Sequence, residues 1–366
     1  MENSELFYRI ALYLINGIGP IRYKKLIQEY GSAEAVFKEK IKILKKIPNI
    51  TEQLAENIKQ FHDFKKVEIE LAFIDKNQIK VFCFDEHSYP ERLKMCPDSP
   101  VILFQSGQFD WKEEKIISVI GTRSMTEYGK KLCSNLIDQL KEFQVVVVSG
   151  LAYGVDITIH KKCLEYNIPT IGIVAHGLST IYPAQHKSIA EKMKNNGAIL
   201  SEYLSDTNLE KGNFPSRNRI VAGISDATIV VETDLKGGSM ITAELAFSYN
   251  RELYCFPGNI YDSKSAGCNY LIKKLKAQLI TNANDIAEGL GWLKKHKIPS
   301  IQQKLFIELS PAEQKIYDII FENKKIHIDE LIMTSELSNA EIASGLLSLE
   351  MQNIIKILPG KIVTCN

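Results

Sequence analysis

From about residue 66 to 298 the chain alternates short apolar runs with stretches of helical spacing. The runs span 79–84, 101–105, 116–120, 145–148, 170–174, 198–201, 228–231, 253–256 and 278–281. Several are continuous and β-branched, as strands buried on both faces are. Helical stretches of ~10–15 residues separate most of them, which is βαβ grammar. The pattern predicts an α/β fold with a Rossmann-like, mostly parallel, doubly wound sheet. The first two runs precede the main alternation and are expected to extend one edge.

The flanks read differently. Over residues 1–65, Leu6, Ile10 and Leu14, then Tyr23, Leu26 and Ile27, keep helical spacing. Between them lies Asn16-Gly17-Ile18-Gly19-Pro20, a tight turn with proline placed to open the next helix. This resembles a helix-hairpin-helix/SAM-like unit, in which helix N-terminal amides meet phosphate. Ile47-Pro48-Asn49-Ile50 reads as a degenerate second copy. An αα-hairpin that only packs accounts for the same pattern and is the preferred reading. Residues 299–366 form a further unit after the linker Lys297-Ile298-Pro299-Ser300. Ser310-Pro311-Ala312-Glu313 supplies a serine cap, a first-turn proline and a capping-box glutamate. Two short helices follow, then two apolar segments flanking Leu358-Pro359-Gly360, the order of a winged-helix-like domain. Three domains are therefore expected: 1–65, 66–298 and 299–366.

Charge limits where a polyanion could bind. The 366 residues carry a net charge of +1, so phosphate recognition must come from a local pocket. From residue 301 onward six lysines face nine acids, a net of −3, which favours protein over phosphate contacts there. Seven cysteines without a CxxC pair point to reduced thiols of a cytoplasmic protein, and no zinc cluster is evident. The N-terminus lacks a basic n-region, and no run reaches the ~20 apolar residues of a membrane span. No metal is expected, since the histidines do not cluster with the cysteines, and no nicotinamide or nucleotide-triphosphate cofactor, since neither GxGxxG nor GxxxxGK[ST] is present in usable form.

Ligands of doubly wound sheets bind beyond the carboxyl ends of the strands. The loops at those ends are rich in glycine: Gly121-Thr122-Arg123, Ser149-Gly150-Leu151-Ala152-Tyr153-Gly154, Ala175-His176-Gly177, and Glu232 through Lys236-Gly237-Gly238-Ser239. Glycine admits close backbone approach, and a helix N-terminus adds free amides with partial positive charge. Lys236 through Ser239 fits that description best, and Arg123 adds a planar donor fork suited to phosphate. Asn213 through Gly223 contributes Phe214, Arg217, Asn218 and Arg219. Phe214 is as able to pack in the core as to stack a base. One arginine of the pair is expected to meet a buried acid such as Glu202 or Glu232, leaving the other for a ligand. Asp156 and His160, at i and i+4, are expected to hydrogen-bond each other rather than to catalyse.

Ser149-Gly150-x-Ala152-x-Gly154-x-Asp156-x-x-x-His160, Gly177 with Tyr182-Pro183, Ser201-Glu202, Phe214-Pro215-x-Arg217-Asn218-Arg219, Gly238-Ser239-x-Ile241-Thr242-Ala243, Pro257-Gly258 and Gly267-x-Asn269 follow one another in order. Together they resemble the signature of the DNA-processing protein A (DprA/Smf) family, from about residue 80 to 285. The resemblance implies a non-catalytic protein that binds single-stranded DNA, protects incoming strands, loads RecA recombinase in natural transformation and dimerises through its core. It also implies a pocket built from Arg123, Ser149, Gly150, Arg217, Arg219 and Lys236 through Ser239. Two departures stand out: Ser216 where a basic residue is common, and Leu275-Lys276-Ala277 where Gly-Ala is usual. A different class is a nucleoside-monophosphate phosphoribohydrolase of the lysine-decarboxylase-like group. That reading rests on Gly237-Gly238-Ser239 followed by Glu244, with Lys236 in place of the usual proline.

Overall fold

The computed structural model describes residues 2–111, 115–293, 309–352, 354–358 and 361–365. The linker residues 297–300 lie outside the described residues, as does most of the Leu358-Pro359-Gly360 turn. The chain divides into two compact units, Met1–Leu293 and Lys294–Asn366.

All nine apolar runs form strands of one sheet: β1 (Lys80–Cys83), β2 (Ile102–Gly107), β3 (Lys115–Ile120), β4 (Val145–Ser149), β5 (Thr170–Ile173), β6 (Gly197–Ser201), β7 (Ala227–Val230), β8 (Glu252–Cys255) and β9 (Gln278–Leu279). Their order is β1-β2-β6-β5-β4-β3-β7-β8-β9. The seven strands from β6 to β9 pair in parallel. β2 joins β6 antiparallel, and β1 joins β2 antiparallel, so the first two runs do extend one edge.

Alternation along each strand feeds two cores. Ile117, Val119, Val145 and Val147 face one side, against Leu136 and Ile137 of helix Glu127–Leu140 and Ile159 of helix Val155–Glu165. Ile116, Ile120, Val146 and Val148 face the other, against Ile220 and Val221 of helix Asn213–Gly223 and Ala243 of helix Gly238–Ser248. The connection leaving β3 runs towards β4, and the one leaving β7 runs towards β8. The strand order therefore reverses between β3 and β7, which opens a crevice at their carboxyl ends.

Six helices between Glu2 and Lys76 cover the β1–β2 edge, burying Ile10, Leu26 and Leu54 with Ile79, Ile102 and Phe104. The two suspected turns are copies of one geometry. Ile18 N–H donates to Ile15 O and Ile50 N–H to Ile47 O, both at 3.1 Å. Gly17 takes a φ of +90° and Asn49 one of +71°. Asn tolerates that left-handed region, which explains why the second copy survives without glycine. Arg22 ties the turns together by donating to Gly17 O at 2.8 Å and Asn49 O at 3.0 Å.

The C-terminal unit has helices Pro311–Asn323, Ile328–Ser335 and Asn339–Met351 with a sheet of β10 (Lys325–His327), β11 (Ile355–Leu358) and β12 (Ile362–Cys365). Capping boxes at Ser310/Glu313 and Ser338/Glu341 start the first and third helices. This is a winged-helix domain. β10 escapes sequence patterning because it is three residues long and buries only Ile326.

Leu275 shows what the missing glycine costs. It follows helix Ser263–Lys273 with a φ of +55°, and its side chain is 90% exposed. A branched side chain in that conformation costs about 1–2 kcal/mol, partly offset by the unfolded-state freedom of glycine. Leu275→Gly should therefore stabilise the fold by about 0.5–1 kcal/mol, read as a higher urea midpoint at unchanged m-value. A lower midpoint would show that Leu275 makes contacts outweighing its backbone strain.

Candidate anion and nucleotide cavity

The crevice between β3 and β7 holds a cavity of about 540 Å3. From the β3 loop it is lined by Gly121, Thr122 and Arg123, and from the β4 loop by Gly150. Helix Asn213–Gly223 contributes Phe214, Arg217 and Asn218, and the β7 loop contributes Lys236, Gly237, Gly238 and Ser239. The residues singled out in four separate loops thus meet in one place. Lys264, Asp234 and Asp156 also line it. Lys264 was missed because its segment follows β8, one strand beyond the loops that drew attention, although Pro257-Gly258 marks that strand end too.

Two singled-out residues lie elsewhere. Ser149 is fully buried, and its hydroxyl donates to Val119 O at 2.7 Å, stitching β4 to β3. Arg219 turns away and forms an ion pair with Glu202 while donating to Asp98 O. Arg219 is thus the arginine of the pair that meets Glu202, while Arg217 lies beside a different buried acid, Asp156. Glu232 has a different task. Its carboxylate accepts from Thr126 N–H at 2.9 Å and from the Thr126 hydroxyl, and its carbonyl accepts from Thr122 N–H at 2.7 Å. It thereby pins the loop that carries Arg123.

Arg217 is buried at 4% exposure at the cavity floor. Its Nη1 donates to Gly150 O at 2.6 Å and to Ile173 O. Burial pushes its pKa down, neighbouring Asp156 pulls it up, and Arg123 adds repulsion. Burial in turn pushes the Asp156 carboxyl up, against the pull of Arg217 and the Ala152 amide. Gly150 is required because a Cβ there would collide with the Arg217 guanidinium. Gly154 is required because its φ is +77° and a Cβ would strike the Thr122 carbonyl. Gly238 is another matter: a Cβ there meets no protein atom within 4 Å. The fold makes no demand for glycine at that position, which opens helix Gly238–Ser248 onto the cavity.

The solvent-facing charges lie at the rim. Arg123 and Lys236 are exposed and Lys264 is half-buried. The Arg123 guanidinium sits over the Phe214 ring, 5.2 Å from its centroid. Phe214 therefore belongs to the cavity wall, half-buried, with a cation on its face. First-turn amides of a helix have no intrahelical acceptor, so the Gly238 end adds donors for an anion. Glu244, the acid of the hydrolase-like pattern, is not among the lining residues and takes both oxygens to Lys276 Nζ, at 2.8 and 2.6 Å.

The expected Asp156–His160 hydrogen bond is replaced by other partners. Asp156 accepts from Ala152 N–H at 3.3 Å. His160 is paired through Nδ1 with Thr170 Oγ1 at 2.7 Å, and Thr170 gives its own proton to Val147 O at 2.9 Å. Nδ1 must therefore carry the hydrogen, and Nε2 has no partner among the described residues. Burial, with His186 and Arg217 adding to it, pulls the imidazole from 6.5 to about 3. No group of three or more metal-ligating side chains occurs among the described residues, and none of their helices is long and apolar enough to cross a membrane.

Comparison with known proteins agrees with this architecture. Residues 80–291 match the family model of DNA recombination-mediator protein A, and residues 307–361 match that of the DprA winged helix domain. Protein Smf of Synechocystis is 29% identical over 98% of both chains. The X-ray structure of DNA processing protein A from Streptococcus pneumoniae is 31% identical, covers 77% of this chain and 97% of its own, and superposes with a TM-score of 0.66. DNA processing protein A from Helicobacter pylori, whose structure concerns its single-stranded DNA binding mode, is 33% identical over 58% of this chain and 95% of its own, with a TM-score of 0.53.

The His160 geometry sets a pH signature. The unfolded chain binds this proton near pH 6.5, the folded chain only near 3. The stabilisation is therefore complete above 6.5 and is lost as pH falls towards 3, by up to about 1.4 kcal/mol per pH unit. His160→Leu should flatten the acid-side fall in unfolding free energy between those limits. An unchanged slope would show that the native ring is already protonated.

Proposed function

The chain belongs to the DNA recombination-mediator protein A (DprA/Smf) family, and from that premise we propose that it binds single-stranded DNA in the cavity between β3 and β7, without catalysing a reaction on it. The observation that carries the proposal is the convergence of phosphate and base chemistry. Arg123, Lys236 and Lys264 stand at the rim of a glycine-opened helix N-terminus, and Phe214 offers a ring beside them. Cations and amides neutralise a backbone phosphate, while an aromatic face takes a base of any sequence. The single-strand binding mode described for the Helicobacter pylori relative supports the same ligand.

The proposed contacts are those of Gly121, Thr122, Arg123, Gly150, Phe214, Arg217, Asn218 and Lys236 through Ser239. Ser149 and Arg219 serve by holding β4 and helix Asn213–Gly223 in place. Glu244 is engaged by Lys276, which weighs against phosphoribohydrolase chemistry. The same reading extends to protection of incoming strands in natural transformation, hand-over to RecA recombinase, pairing of two protomers through the Rossmann-like core, and residence in the cytoplasm. It assigns residues 1–65, 66–298 and 299–366 to helical, core and winged-helix domains, with the acidic last domain turned to protein partners.

Equilibrium binding of a fluorescent dT oligonucleotide, against a matched duplex, tests the central claim. The single strand should bind more tightly, and three phosphate contacts should give a log–log salt slope of about −2. Arg123→Ala or Lys236→Ala should weaken binding by about 1.5–3 kcal/mol and reduce the slope by about 0.7, with unfolding curves unchanged. Full affinity in both variants, or no binding at low salt, would remove the cavity from the account.

Gly238 separates folding from binding. Gly238→Val should leave thermal stability near wild type, since a Cβ there has no protein atom within 4 Å, yet lower single-strand affinity at least tenfold. Wild-type affinity in a folded Gly238→Val protein would show that the ligand does not approach that helix end.

A further inference from the structure

Beside the main cavity lies a second, smaller concavity. Both share Arg123, Gly150, Ala152, Phe214 and Arg217 as a common wall. Beyond that wall their chemistry diverges. The larger one gathers Lys236 and Lys264, whereas the smaller one is lined by Tyr153, Tyr182, Pro183, Ala175 and Leu209. His176, also lining it, carries no free hydrogen-bonding nitrogen. Its Nδ1–H donates to Gly177 O at 2.8 Å, and its Nε2 accepts from Tyr182 N–H at 3.2 Å.

We propose that this second compartment is the seat of a nucleobase, the one attached to the phosphate held in the larger cavity. The inference rests on the single-strand reading and deepens it. A phosphate has no cation to meet beyond the shared wall, and a flat, uncharged ring has two tyrosines. Tyr153 is 44% exposed and Tyr182 49%, large areas for aromatic side chains lining a concavity. The Arg123–Phe214 stack stands at the divide, so one guanidinium can meet the phosphate while its ring partner faces the base.

The compartment is held in shape before any ligand arrives. Leu151 takes a φ of +57°, and His186 Nδ1–H donates to its carbonyl at 2.8 Å. The turn projects Tyr153 outward, with its ring edge-on to His186 at 4.9 Å and its hydroxyl donating to Gln185 Oε1 at 3.0 Å. Fixing the ring in advance lowers the ordering cost of binding. With His176 internally satisfied, recognition falls to stacking, which does not read sequence.

The experiment compares binding of a dT oligonucleotide with that of an equally long strand of abasic sites. Wild type should prefer the base-bearing strand by about tenfold or more. The double variant Tyr153→Ala, Tyr182→Ala should lose most of that preference, Phe214 keeping the rest, while binding the abasic strand as wild type does. The double Tyr→Phe variant should keep it, because stacking needs the ring and not the hydroxyl. A 5-iodouracil strand should photo-crosslink to a wild-type peptide bearing Tyr153 or Tyr182. Equal wild-type affinity for the two strands, equal loss for both in the alanine variant, or crosslinks confined to other peptides would overturn the base seat alone. Failure of wild type to bind either strand would overturn the single-strand reading and this one with it.

Discussion

At the carboxyl end of a parallel sheet each strand runs out of ladder partners for its carbonyls, and Arg217 answers that deficit at β4 and β5. Its guanidinium reaches down from helix Asn213–Gly223, bonds Gly150 O and Ile173 O, and meets the field of the Asp156 carboxylate. A cation near a helix N-terminus and out of water is costly on both counts. It persists because strand-end oxygens and a buried acid surround it. The cavity owes its floor to that arrangement: the β4 loop, helix Asn213–Gly223 and helix Val155–Glu165 are fixed relative to one another through one side chain. Gly150 follows from the same constraint, since only glycine leaves room for the guanidinium.

Elements that repeat a physical pattern could be read from the sequence. All nine apolar runs became strands, because continuous β-branched runs bounded by glycine have few other uses. The cavity was legible for a related reason: a doubly wound sheet sends its glycine loops to one edge, so residues far apart in the chain had to converge. Pairings were not legible. Arg217 and Arg219 differ by two residues, and helical rotation alone turns one towards Gly150 and the other towards Glu202. Asp156 and His160 had the spacing to bond, yet the imidazole pairs with Thr170 on β5 and the carboxylate accepts from Ala152 N–H. Lys264 went unread because it follows β8, one strand beyond the loops richest in glycine, where only Pro257-Gly258 marks the strand end.

A chain with a net charge of +1 can still serve a polyanion if its cations are placed rather than numerous. Here the charges divide into two populations. Arg9, Arg92 and Arg219 are spent on Asp85, Asp226 and Glu202, joining elements of the fold. Arg123 and Lys236 stand exposed at the strand ends. Specific placement of this kind leaves the rest of the surface balanced, which limits indiscriminate attraction to other polyanions.

The antiparallel edge has a consequence for the nascent chain. β2 pairs with β6, and Phe104 lies opposite Ser201, roughly a hundred residues later in translation. At about 5–20 residues per second, β2 waits on the order of 5–20 s after leaving the ribosome before its partner exists. Everything needed to shield it meanwhile has already been made. β1 can cap one of its edges, and the six preceding helices can bury Ile102 and Phe104 from one face. The N-terminal helices, whatever they contact in the finished protein, thus act during synthesis as a built-in holdase for β2 while it waits for β6.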